Sequence, residues 1–280
     1  MSFYFDESVS PPPAAERTLR LVFKEKKKDD DDDDDERKGK RARSDNLLKV
    51  DDIEVVDPLP HKLVIPCHFK LELATVLKAL DLCYPLSVRM RPLEEVTFCK
   101  GLFSHNTDEY VDIVFKIRHV RSVCIQDNFF SATALTLLGM YGKQLSVEIS
   151  KCKYEEGAMY SFIYFAGDNG IQTLKIIDCK VKMKEDFLIS ALDKCWILKK
   201  LHIYYCGNII TPAVLKKLAS MDYIEEIVLD ENAVPRDCID EFNAARPDVR
   251  MLFVGDPWGG GEVYDKDGVK VEDTSIKVKK

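Results

Sequence analysis

Leu198-Lys199-Lys200-Leu201-His202-Ile203-Tyr204-Tyr205-Cys206 is the stretch that decides the fold. Apolar residues fill its first, fourth and sixth positions, and a cysteine fills the ninth. One period earlier, Ile171-Gln172-Thr173-Leu174-Lys175-Ile176-Ile177-Asp178-Cys179 repeats the form. One period later, Ile224-Glu225-Glu226-Ile227-Val228-Leu229-Asp230-Glu231-Asn232 repeats it with asparagine at the end. Val120, Val123, Ile125 and Asn128 make a fourth full copy. Two further copies are partial. Leu93, Val96 and Phe98 fit but end in Gly101, and Val147, Ile149 and Cys152 fit but begin with Gln144. A last strand is read with Val249, Leu252 and Val254 inward, ending before Pro257. The first positions recur every ~24 to 27 residues, the length of one strand plus a returning helix. One such match arises easily by chance; a series in near-constant register does not.

The physics of a strand explains the pattern. Alternate side chains point to opposite faces, so the fourth and sixth positions share a core while the fifth and seventh face away. The ninth residue sits where the chain turns off the strand, and Asn or Cys there can bond turn backbone. Cys152, Cys179 and Cys206 are therefore read as buried structural thiols. Between strands the apolar period lengthens toward 3.6. Thr211-Pro212 is a helix start, an N-cap followed by proline in the first turn, and Val214, Leu215, Leu218 and Ala219 form one face behind it. Phe187, Leu188, Ala191 and Leu192 predict a second helix over 186–195, and Cys238, Ile239 and Phe242 a third over 235–245. No unit buries its apolar side alone, so the units stack. The expected architecture is an α/β solenoid with a parallel sheet on the concave side and helices on the convex side.

Cys206, Ile210, Thr211, Leu215, Leu218 and Ala219 follow one another much as in C-x-x-I-T followed by L-x-x-L-A, with one extra turn residue. In this the chain resembles the cysteine-containing leucine-rich-repeat family, found in F-box/leucine-rich-repeat ubiquitin-ligase receptors and in antagonist-of-mitotic-exit-network-like proteins. The resemblance spans residues 93–255. It implies a non-catalytic scaffold that binds a protein on its concave face. Two other functions stay open. A substrate receptor of an SCF-type ligase, binding an SCF adaptor, would need an F-box, and Leu59-Pro60-His61-Lys62-Leu63 resembles the opening of one. Pro66, however, falls where that module needs continuous helix. An acidic, histone-binding nuclear leucine-rich-repeat protein would need a long uncompensated acidic tract.

Residues 1–60 read as a disordered, charged N-terminal region. Residues 61–92 read as a cap or F-box, 93–256 as the repeats, and 257–280 as a mobile tail after Gly259-Gly260-Gly261. The seven aspartates Asp29–Asp35 are offset by flanking cations, so 24–43 carries nine basic and nine acidic residues. Lys26, Lys27, Lys28, Lys40, Arg41 and Arg43 have the form of a two-part nuclear-import signal, pointing to a nuclear and/or cytoplasmic protein. Net charge is −7, against a nucleic-acid surface. No apolar run reaches membrane-spanning length. Nine cysteines without a CxxC pair suit a reducing compartment. Neither a phosphate-binding glycine loop nor a nucleophile elbow is present, and the histidines do not cluster at ligand spacing. No catalytic residue, metal or cofactor is expected, and the chain is expected to be monomeric outside its complexes.

Partner-binding residues are expected among the outward positions. Ile177, Tyr204, Val228 and Phe253 are apolar where solvent would favour polar residues, with Tyr205 beside them and Lys175, Lys200 and His202 on the flank. The competing reading is that the C-terminal tail folds back over them. Val269-Lys270-Val271-Glu272 has the form of a SUMO-acceptor site at Lys270.

Overall fold

The computed structural model describes residues 117–207, 209–255 and 262–272, with Val114 and Ile276, and the strand segments 18–20, 47–48, 62–65, 70–71 and 95–98. It is a mixed α/β structure around an open ten-stranded sheet. In chain order the strands are β1 (Thr18–Arg20), β2 (Leu47–Leu48), β3 (Lys62–Ile65), β4 (Lys70–Leu71), β5 (Glu95–Phe98), β6 (Ser122–Gln126) and β7 (Phe129–Phe130). They continue with β8 (Ser146–Ser150), β9 (Lys153–Tyr154), β10 (Thr173–Ile177), β11 (Lys200–Tyr204), β12 (Glu226–Asp230), β13 (Arg250–Val254) and β14 (Val263–Asp265). The large sheet runs β1-β3-β5-β6-β8-β10-β11-β12-β13-β14, parallel at every pairing except the last. Pairs β2–β4 and β7–β9 form separate two-stranded ladders.

The register aligns like positions. Val96, Val123, Val147, Leu174, Leu201, Ile227 and Met251 form one inward row; Phe98, Ile125, Ile149, Ile176, Ile203, Leu229 and Phe253 form the next. All are buried in one core with the helices α1 (Ala132–Tyr141), α2 (Ala158–Asp168), α3 (Glu185–Leu192), α4 (Pro212–Ala219) and α5 (Arg236–Ala245). Side-chain caps start two of these helices, α4 as expected and α1, which the sequence reading did not include. Thr211 Oγ1 accepts from Val214 N at 3.3 Å, and Ser131 Oγ does the same for Ala134 N at the head of α1. Gly139 lets α1 and α2 approach closely, because a Cβ there would lie 2.8 Å from the Phe162 carbonyl oxygen. Leu188, Ala191 and Leu192 are buried as expected, but Phe187 is 50% exposed and rests its ring 5.3 Å from that of Tyr160.

The odd first position of the β8 copy has a physical reason. Gln144 is buried, and its Nε2 donates to the Ile117 carbonyl at 3.1 Å, so the polar group is satisfied inside. The ninth positions form a column. Cys152, Cys179 and Cys206 each donate to a carbonyl of their own strand (Ser150, Ile177, Tyr204) and to one of the preceding strand (Ile125, Ile149, Ile176), at 3.2–3.6 Å. Just before each of these, and before Asn128 in the β6 copy, the eighth residue adopts left-handed backbone: Asp127, Lys151, Asp178 and Tyr205 have φ of 51–58°. Burial pushes the Cys206 thiol up, and takes that of Cys195 to about 12.

Two differences from the sequence reading concern register and extent. Strand β13 is shifted by one residue. Leu252 pairs with Val228 and Phe253 with Leu229, so Phe253 belongs to the core and Leu252 and Val254 to the opposite face. A single-residue slip exchanges the two faces of a strand. At the other end the sheet begins before residue 93, since β3 continues the parallel register from β5 and β1 from β3. The stretch 59–90, where the F-box opening was read, lies outside the described residues except for β3 and β4. Among the described residues no helix is long and apolar enough to cross a membrane.

Candidate functional site

The fifth and seventh positions line the sheet face away from the helices. Toward the N-terminal side they are mostly polar: Cys124, Glu148 and Lys175 in one row, Gln126 and Ser150 in the other. From β10 onward they turn apolar, with Ile177, Tyr204, Val228, Leu252 and Val254. These five are buried in a second core distinct from the helical one, Tyr204 to 0% and Ile177 to 5% exposure. What buries them is the chain's own C-terminal segment. Val263 and Ile276 belong to the same cluster, and Tyr205 and Val271 pack at its margin. Tyr204 and Tyr205 meet edge to face, 5.3 Å between centroids.

The segment is held by backbone first. Strand β14 runs antiparallel to β13, pairing Val263 with Val254 and Asp265 with Leu252. The chain then turns at Gly268, whose φ of +79° suits glycine, while Asp265 Oδ1 accepts from the N–H groups of Asp267 and Val269. The return strand closes with Val271 N donating to the Val263 carbonyl at 2.7 Å. Side chains add outer fastenings: Tyr264 Oη donates to Glu262 at 2.6 Å, Lys270 pairs with Glu262, and Arg236 donates to the Lys266 carbonyl at 2.7 Å. Thus the segment expected to be mobile carries a strand and a hairpin. The tyrosine at 205 faces its root, its hydroxyl donating to the Gly255 carbonyl at 3.1 Å.

Beside the apolar patch lies a charged cluster that the sequence showed only in part. His202 is 1% exposed, and its Nε2 lies 2.8 Å from Glu226 Oε1. Arg250 Nη1 donates to the other oxygen at 2.7 Å, and Lys200 Nζ stands 3.6 Å from the first. An ionised carboxylate only accepts, so the histidine proton sits on Nε2. That leaves Nδ1 as a buried lone pair without a partner. Burial lowers the His202 pKa despite the Glu226 bond that opposes it. For Glu226, burial would raise the value, but the hydrogen bonds from His202 and Arg250 outweigh it and hold the carboxyl below its usual range. Burial lifts the Asp230 carboxyl, although the Tyr205 N–H donates to it at 2.8 Å.

The structure therefore brings Ile177, Tyr204, Tyr205 and Val228 together, with Lys175 and His202 in the row of Val228 and Lys200 in the row of Glu226, and removes Phe253 to the helical core. Sequence reasoning missed Leu252 and Val254 through the register slip. It named Lys200 at the third strand position but not Glu226 or Arg250, which occupy the same position on the next two strands. Lys270 is exposed on the hairpin. The import-signal residues Lys26, Lys27, Lys28, Lys40, Arg41 and Arg43 lie outside the described residues. Among the described residues no group of three His, Cys, Asp or Glu is placed to hold a metal ion. No protein-family model matches the chain, and no curated protein matches it in sequence.

Proposed function

We propose that the chain is a non-catalytic protein-binding scaffold of the leucine-rich-repeat type, a solenoid that takes a protein partner on its strand-lined face. One observation carries the reading. The face away from the helices holds a contiguous apolar patch, Ile177, Tyr204, Val228, Leu252 and Val254, which among the described residues is covered by the C-terminal segment and by no helix. A surface that accepts an extended apolar segment from its own chain has the chemistry to accept one from another. Tyrosine at its centre suits a contact in which a few buried aromatics dominate binding. The adjoining charges, Lys175, Lys200, Glu226 and Arg250, would orient the partner more than hold it. Residence in the nucleus or cytoplasm fits the reading.

The test is positional crosslinking in cells with the full chain. A photoreactive residue is placed at Gln126 or Lys175 on the strand face, or at Lys216 or Tyr164 on the helix side. Discrete protein adducts from the first pair and none from the second support the reading. Adducts confined to the helix side refute it.

A further inference from the structure

We infer that the C-terminal segment is a stand-in for the partner: residues 262–272 with Ile276 occupy the binding patch, and the partner is an extended protein segment with a few aliphatic anchors that takes their place. The inference rests on the binding reading above and names the chemistry of the ligand.

Position is the first argument. To cover the last parallel strand, the segment needs only β14 against β13. Yet Ile276 joins a cluster that reaches Tyr204 on β11 and Ile177 on β10, well inside the sheet. The face itself is built for this. Outward positions toward β6 and β8 are polar at Gln126, Glu148 and Ser150, and from β10 to β13 the patch is apolar at Ile177, Tyr204, Val228, Leu252 and Val254, with Lys175, His202 and Asp230 at its border. Chemistry is the second argument. The grip consists of strand addition to β13 plus the aliphatic anchors Val263, Val271 and Ile276, which is a mode any extended chain with suitably spaced apolar residues can copy. The remaining fastenings are exposed. Lys270 and Glu262 are both well exposed to solvent, and so is the Arg236 contact to the hairpin. Exposed ion pairs add little and are screened by salt. The helical core shares no member with the patch, so vacating the patch leaves that core intact and gives up only the exposed Arg236 contact from α5.

A segment that competes from within lowers the apparent affinity of an outside ligand by the fraction of time the patch is free. The experiment uses a labelled synthetic peptide of residues 262–280 as the outside ligand, with fluorescence anisotropy on two full-length proteins. One is unaltered; the other carries Val263→Asp and Ile276→Asp. The expected result is at least about tenfold tighter binding to the altered chain, abolished when Tyr204→Asp is added. An altered chain that melts cooperatively and binds the peptide no better overturns the inference. Should that chain lose cooperative melting, Val271→Ser decides, since Val271 packs only at the margin of the patch; no gain in peptide binding there also overturns it. Failure of the wider reading looks different. Cell adducts confined to the helix side would dismiss the partner site even if the peptide binds, whereas strand-face adducts without peptide binding would dismiss this inference alone.

Discussion

Replacing Phe253 by alanine separates the two registers of β13. In the observed register the ring is 4% exposed and lies in the helical core with Leu229, Ile239, Phe242 and Met251. Removing a buried phenyl ring costs about 3–5 kcal/mol, from lost transfer energy and the cavity left behind. The lower end applies here. A cavity of about 510 Å³, lined in part by Phe253, Val234, Ile239 and Tyr264, adjoins the ring and gives its neighbours room to relax. A loss of ~3 kcal/mol, with a urea slope of ~2–3 kcal/mol/M, moves the midpoint down by ~1–1.5 M. Equilibrium urea unfolding followed by circular dichroism reads this directly. Lys182→Ala, at an exposed turn position, should stay within about 0.5 kcal/mol as the control. A loss below ~1 kcal/mol for Phe253→Ala would mean that the ring is not in the core and that the register is wrong.

Three further outcomes follow from the same geometry. Among the described cysteines, half-buried Cys238 should react with a thiol reagent in the native protein, while Cys152, Cys179, Cys195 and Cys206 should react only on unfolding; labelling of Cys206 at the Cys238 rate, read by peptide mass spectrometry, would contradict the buried column. Because burial lowers the His202 pKa, the unfolded chain takes up a proton first as pH falls through about 6.5, so this residue's contribution to stability is whole above that pH and declines below it; urea midpoints between pH 7.5 and 5 should fall less steeply for His202→Gln, and an unchanged slope would sink the assignment. Arg246 donates to the carbonyls of Ala219, Met221 and Ile224 and to Asp248, tying the end of α5 to the end of α4 and the turn after it; Arg246→Ala should cost about 2–3 kcal/mol in thermal or urea melts, with Arg246→Lys restoring less than half because one ammonium cannot span three carbonyls.

What could be read from the sequence followed how local the cause was. Inward rows from Val96 to Leu229, the cysteine column and the Thr211 cap depend on neighbours within one strand or one turn, and all are where the pattern put them. Strand β13 was misread because Met251, Leu252, Phe253 and Val254 form an unbroken apolar run with no alternation to mark a face; only pairing with β12 on one side and β14 on the other fixes it. Helices α1 and α2 went unread for a related reason. Ala132–Tyr141 is apolar nearly all round, so no polar stripe reveals its period. The covered patch was foreseen only as an alternative. Val263, Val271 and Ile276 are scattered through a polar stretch, and no spacing in sequence announces that they meet Tyr204. The His202–Glu226–Arg250 cluster joins three strands, with His202 two residues out of step with the paired Glu226 and Arg250, and becomes visible only once the register is known.

A parallel stack of strands has no natural end. Each new unit leaves an edge on which another could be laid, and an edge that matches the opposite edge of a second copy invites head-to-tail growth into filaments. Strand β14 halts this by reversing polarity: it offers a short strand of the wrong direction, already closed on its outer side by the bond from Val271 to Val263. The segment that fills the patch thereby also closes one edge of the sheet. A chain cut before Glu262 should grow in apparent mass with concentration on size-exclusion chromatography, even where its monomer remains fully folded.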